Sequence, residues 1–187
     1  MPVVAAEKEN LPVSQARAGN AQAWDALFKR YQLPLYVYIF QMAHNQQSSL
    51  DVVQETFINA VRHIESLNDD EKFGSWLFGI AHQKCIQLWR RGGREKDAHE
   101  ELSQAAEEFE ADPAELLIRR EEQGEFISLL EKLPPNQRET LALYFIEEFS
   151  LEEIADITST PIGTVKSRLH FARRAFRERW QRKEDNL

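Results

Sequence analysis

Residues 150–177 read Ser150-Leu-Glu-Glu-Ile-Ala-Asp-Ile-Thr-Ser-Thr-Pro-Ile-Gly-Thr-Val-Lys-Ser-Arg-Leu-His-Phe-Ala-Arg-Arg-Ala-Phe-Arg177, and the pattern predicts two helices joined by a tight turn. Ser150 can accept the amide three residues on while Glu153 reaches back to the cap's own amide. Ile154, Ala155 and Ile157 then point inward. Thr158, Ser159 and Thr160 supply the turn, and Pro161 suits the first turn of a new helix because its missing N–H would have no partner there. From about Pro161, the residues Ile162, Val165, Leu169, Ala172 and Phe176 recur at helical steps and form a buried stripe. The opposite face carries Thr164, Lys166, Ser167, Arg168 and His170, followed by Arg173, Arg174 and Arg177. Short polar and basic side chains near a helix start reach base edges in the major groove, whereas the later arginines sit where phosphates run. The segment is predicted to be a DNA-reading helix-turn-helix.

The chain has 187 residues and a net charge of −8, which at first argues against nucleic acid. Charge by segment removes the conflict. Residues 160–183 hold eight Lys or Arg against Glu178 alone, residues 1–94 are nearly balanced, and residues 95–125 hold twelve acids against three bases. An acidic belt therefore separates two less acidic ends. This shift predicts an all-α chain of two small helical domains joined by a flexible acidic linker. The boundaries are an N-terminal tail at 1–14, a helical domain at 15–94, the linker at 95–112, and the helix-turn-helix domain at 113–187. Cys85 is the single cysteine, which excludes an intrachain disulfide. No apolar run approaches the roughly 20 residues of a membrane helix, and the opening residues lack a secretion signal. The expected location is the cytoplasm, with no membrane insertion.

Helical periods run through the N-terminal half. Asn20 is a candidate cap for a helix carrying Trp24, Leu27, Phe28 and Tyr31, which Pro34 should break or kink. Leu35, Tyr38, Ile39 and Met42 resume it. Ser48 with Asp51 forms a candidate capping box for the next helix, whose inward stripe is Leu50, Val53, Phe57, Ala60, Val61 and Ile64. Asp51, Gln54, Glu55 and Asn59 face elsewhere. A polar loop, Ser66 to Lys72, precedes a helix with Phe73, Trp76, Leu77, Ile80, Ala81 and Trp89 on its apolar stripe. Beyond the linker, Asp112-Pro113 restarts a helix through Leu116, Leu117, Phe126, Leu129, Leu130 and Leu133, and another follows from Arg138 to Phe149.

Leu133-Pro-Pro-Asn-Gln-Arg-Glu139, Ser150-Leu-Glu-Glu-Ile-Ala155 and Gly163-Thr-Val-Lys-Ser-Arg-Leu-His170 closely resemble region 4 of the extracytoplasmic-function sigma factors of bacterial RNA polymerase. Asp51-Val-Val-Gln-Glu-Thr-Phe57 and Lys72-Phe-Gly-Ser-Trp-Leu77 resemble region 2 of the same family, in the right order and spacing. The resemblance covers about residues 15–94 and 113–180. It implies a sigma factor that binds core RNA polymerase, directs promoter-specific transcription initiation and helps to open the duplex, without being an enzyme or needing a cofactor or metal.

By the resemblance, Asp51, Gln54 and Glu55 dock on the clamp helices of the polymerase's largest subunit, and the C-terminal domain meets the flap of the second-largest. Leu67, Asn68, Lys72 and Gln83 are candidates to meet the −10 element and hold an unpaired base, with Arg90 and Arg91 near phosphates. Thr164, Lys166, Ser167 and His170 would read the −35 element, with Arg168, Arg173 and Arg174 on phosphates. An anti-sigma factor or a kinase is the candidate source of control.

Some positions depart from the family pattern. Gly79 and Phe171 stand where basic residues are usual, and Asp69, Asp70 and Glu71 would repel a DNA backbone. Before Val52, where the family often has an acidic cluster, the chain has Gln46-Gln47-Ser48-Ser49-Leu50-Asp51. Phosphorylation of Ser48, Ser49 or Thr56 would restore negative charge there, at about −1.5 to −2 per phosphate; the alternative is that Ser48 simply caps a helix. The five histidines are scattered, and His82 with Cys85 makes an incomplete metal site. Two other classes stay open on the residues alone: a repressor or activator using the same helix-turn-helix, and a protein-binding adaptor that never touches DNA.

Overall fold

The computed structural model describes residues 11–95 and 130–184, with seven α-helices among them. They are α1 (Val13–Arg17), α2 (Ala21–Ala43), α3 (Gln46–His63), α4 (Phe73–Glu95), α5 (Pro135–Ile146), α6 (Leu151–Thr158) and α7 (Ile162–Glu184). No strand occurs among the described residues. The linker beyond Glu95, the helix expected after Asp112 as far as residue 129 and the side chain of Arg91 lie outside the description. No described helix is long and apolar enough to cross a membrane.

Asn20 caps α2 by accepting from the amides of Gln22 and Ala23. The helix then runs 23 residues, so of the break or kink expected at Pro34 the break does not occur. Proline in a helix interior costs about 3 kcal/mol, but Leu27, Tyr31, Pro34, Leu35, Tyr38 and Ile39 are all buried around it. Packing on both sides outweighs one lost backbone bond. His44 ends the helix in a left-handed conformation (φ 51°), its amide returning to Phe40. Asn45, not Ser48, then caps α3, because its side chain accepts the Ser48 amide at 2.8 Å. The buried stripe of α3 is also turned from the expected one. Val52, Val53, Thr56, Phe57 and Ala60 face the core, while Val61 is exposed.

Phe73 opens α4 and sits among Trp24, Tyr31 and Trp76, with ring centroids 5.6 to 6.4 Å away. Gly74 follows where two aromatic side chains press on the helix: a Cβ there would lie 3.0 Å from the Tyr31 hydroxyl and 3.5 Å from the Phe149 ring. Trp76 packs partly buried against this core. Trp89, expected on the apolar stripe, is largely exposed, although its indole N–H donates to the Met42 carbonyl at 2.9 Å.

The C-terminal helices do not stand apart. Leu143, Phe149, Ile154, Ile157 and Val165 join the same buried cluster as α2, α3 and α4. A smaller cluster of Leu130, Leu133, Leu141, Ala142, Ile146, Leu169 and Ala172 holds α5 to α7, and Val37 of α2 packs against it. Within the helix-turn-helix, the capping box forms as expected: the Ser150 hydroxyl accepts the Glu153 amide at 3.2 Å and Glu153 accepts the Ser150 amide at 2.9 Å. Ser159 turns the chain at φ 48°. The Pro161 carbonyl accepts from the Thr164 and Val165 amides, so Pro161 stands at the cap and α7 begins one residue later than expected.

These contacts set two stability expectations. Phe149→Ala should cost ~3–5 kcal/mol in chemical denaturation, as for other buried aromatics. Ser150→Ala should cost only about 1 kcal/mol, the worth of one helix cap.

Candidate functional site

Three surfaces carry the residues singled out in the sequence. On α7, Val165, Leu169 and Ala172 are buried, while Thr164, Lys166, Ser167, His170, Arg173 and Arg174 are exposed. Arg168 is half-buried and reaches back to the Thr160 hydroxyl at 3.4 Å. Arg174 pairs with Glu178 at 3.0 Å, and Arg173 lies over the Tyr144 ring at 5.7 Å. Helical register thus places every candidate −35 residue on or beside one solvent face.

The second surface is the 66–72 loop and the outer side of α4. Asn68, Lys72, Gln83 and Arg90 are exposed. Leu67 is not: its side chain is in the core, so the expectation that it meets a base is corrected, because the loop turns this apolar residue inward. The loop's acidity is also partly spent internally. Asp69 caps a single 3-10 turn, and Asp70 pairs with Arg17 at 2.6 Å while the same guanidinium binds the Leu67 carbonyl at 2.9 Å. Sequence reasoning missed Arg17, since nothing local marks a partner some fifty residues away.

The third surface is the outer face of α3, where Asp51, Gln54 and Glu55 are all exposed. Asp51 accepts from Gln47 at 3.0 Å, and Glu55 pairs with Lys84 of α4 at 3.0 Å. Ile58 and Val61 share this face and are 49% and 52% exposed. Val61 was expected to be inward; its exposure extends the acidic face with an apolar edge. The candidate phosphorylation sites fare unequally. Ser49 and Thr56 are fully buried, their hydroxyls donating to the carbonyls of Asn45 and Val52. In the folded chain they are out of a kinase's reach, which leaves Ser48, half-buried at the helix start.

Between the surfaces lies a polar junction that the sequence did not announce. Glu139 of α5 enters the core, where its carboxylate accepts from the Tyr38 hydroxyl at 2.9 Å and lies 2.7 Å from Nδ1 of His82. Burial, followed by the Glu139 charge, pushes the Tyr38 hydroxyl well above its ordinary range, so it stays a donor. The same two causes raise the Cys85 thiol to about 12, which makes it unreactive near neutral pH. Arg30 holds Glu147 through two bonds of 3.1 and 3.0 Å, and its charge opposes the upward push of burial on that carboxyl. Arg138 Nη1 meets His44 Nε2 at 2.9 Å. Gln41, one turn beyond Tyr38, is buried with no hydrogen-bond partner for either amide atom among the described residues.

Comparison with known proteins agrees with this layout. The sigma-70 region 2 family model matches residues 27–95 and the sigma-70 region 4 model matches residues 123–176. The RNA polymerase sigma-H factor of Pseudomonas aeruginosa is 32% identical over 178 residues, spanning 90% of this chain and 92% of that protein. The ECF RNA polymerase sigma factor SigW of Bacillus subtilis is 30% identical over 176 residues, spanning 89% and 93%. The sigma factor RpoE of Bartonella quintana, solved in complex with the anti-sigma factor NepR, superposes with a TM-score of 0.61 at 26% identity, over 81% of this chain and 94% of that one. With both regions matched in order, and relatives that share nearly their whole length with it, this chain belongs to the extracytoplasmic-function sigma factors of the sigma-70 family.

Proposed function

We propose that this sigma factor directs core RNA polymerase to its promoters by dividing the work among the three surfaces. The observation that carries the reading is the simultaneous exposure of the α3 face, the α4 face and the α7 face on one body. Family membership makes the chain a promoter-specificity subunit; the residue assignments are our own.

The α3 face suits docking on the clamp helices of the largest subunit. Asp51 and Glu55 supply charge for a basic partner, Gln54 supplies hydrogen bonds, and Ile58 and Val61 supply apolar area at the edge. Specific interfaces join an apolar core to a polar rim, with a few buried anchors carrying most of the energy, and here Ile58 and Val61 would be the anchors and the polar groups the rim. Region 4 would meet the flap of the second-largest subunit.

On DNA, Thr164, Lys166, Ser167 and His170 lie toward the start of α7 and would face base edges of the −35 element. Arg168, Arg173 and Arg174 would hold phosphates, fixing register without reading sequence. Arg174 would exchange Glu178 for a phosphate. At the −10 element Asn68, Lys72 and Gln83 would meet the opened strand, with Arg90 and Arg91 on its backbone; a captured base needs such polar partners to offset its lost stacking. The acidic loop is compatible with this role because Arg17 already neutralises Asp70. An anti-sigma protein is the proposed partner for control, since the superposing RpoE was solved with one. The chemistry of initiation would remain the polymerase's, and this chain would act in the cytoplasm where polymerase and promoter meet.

The deciding experiment is gel filtration of the chain with core polymerase, followed by initiation on a promoter library. A co-eluting complex with selective initiation is expected; DNA binding that needs no polymerase would favour a repressor instead. Asp51→Lys combined with Glu55→Lys should abolish co-elution while leaving the melting temperature within a few degrees. Lys166→Ala should cost ~1–3 kcal/mol of −35 discrimination, and Arg173→Ala should weaken binding evenly across sequences and reduce the salt slope by about one.

A further inference from the structure

Beyond Ile162, which is 36% exposed at its first residue, the exposed arc of α7 is polar or basic with one exception among the described residues. Phe171 is 55% exposed, more than any other large apolar side chain among the described residues. It stands one residue after His170 and one helical turn after Ser167, which puts its direction about 40° from that of Ser167 at ~100° per residue. The buried stripe of Val165, Leu169 and Ala172 lies on the other side of the helix, so the core does not use this ring. The His170 ring meets it nearly edge-on, with centroids 5.5 Å apart and planes at 78°. Arg168 and Arg174, three residues before and after it and so on the same side of the helix, flank it with positive charge.

A ring placed among cations on a groove-reading face has few complementary groups in B-DNA. Base edges in the major groove offer donors, acceptors and one apolar group, the 5-methyl of thymine. A phenyl ring cannot donate or accept a conventional hydrogen bond, so it cannot read guanine, cytosine or adenine by the pairings open to Lys166 or Ser167. We propose that Phe171 is a specificity-determining residue that packs against a thymine methyl in the −35 element, next to the base met by Ser167. This deepens the proposed −35 reading and rests on it. An aromatic contact here replaces a phosphate grip with a sequence preference, so the chain selects a −35 element with thymine at one defined position.

The test uses the holoenzyme and the −35 element it selects from a library. Each thymine of that element, on either strand, is replaced in turn by deoxyuridine, which removes the methyl and keeps the base pair. Replacement at one position should weaken wild-type binding about fourfold, the worth of one buried methyl group. Phe171→Ala should bind more weakly, lose that penalty and keep the wild-type melting temperature, since the ring is outside the core. Lys166→Ala should keep the penalty. Phe171→Arg should lose the thymine preference in a repeated selection. Indifference of the wild type to deoxyuridine at every position, or an undiminished penalty in Phe171→Ala, would overturn the thymine contact. Weakened polymerase association in Phe171→Ala, with no deoxyuridine effect, would overturn it in favour of a protein contact. If the holoenzyme ignores the −35 element and Lys166→Ala changes nothing, the reading of α7 falls and this proposal with it.

Discussion

Everything in this molecule is arranged around a carboxylate that has no business in an apolar core unless it is met there. Glu139 is buried with the Tyr38 hydroxyl at 2.9 Å and the His82 ring at 2.7 Å. An unpaired buried carboxylate would be strongly destabilising, so the three groups constrain one another: α5 can pack only where α2 and α4 present this donor pair. The Arg30–Glu147 fork and the Arg138–His44 contact repeat the constraint at either side along α2. Apolar packing of Phe78 on Phe149, with centroids 5.1 Å apart, supplies burial, while the polar contacts supply register.

This junction decides which faces are left for partners. Once α2 and the inner side of α4 are committed to α5 and α6, the outer side of α4, the outer side of α3 and the far side of α7 are what remain. α3, α4 and α7 each have one face consumed in holding the body together and another exposed.

Much of the fold was legible in the residues. The Ser150 capping box, the Asn20 cap, the turn at Ser159 and the buried Val165, Leu169 and Ala172 of α7 depend on neighbours three or four positions away, and local spacing reveals them, although Ile162, expected on the same stripe, is exposed and Phe176 is only partly buried. Pro34 and Val61 were misread for a shared reason. Local rules say that proline breaks helices and that valine on a near-apolar stripe points inward, but tertiary packing sets the outcome when it outweighs a local cost or rotates a stripe by one position. Leu67 shows the reverse case, an apolar residue in a polar loop that folds back into the core. Ser49 and Thr56 looked accessible because hydroxyl residues usually are; their bonds to carbonyls four residues back let them be buried.

The sequence by itself determined the helical class, the helix-turn-helix, the polarity of its exposed face and the family, because these rest on periodicity, caps and motifs encoded within a few residues. Only the tertiary structure decided that the C-terminal helices share a core with the N-terminal ones, that Glu139, His82 and Tyr38 meet, that Arg17 restrains the 66–72 loop, and that Phe171 stands in solvent. The polar contacts among those facts join residues 44 to 101 positions apart. A helical period tells which residues share a face, but it carries no information about which other face will cover it.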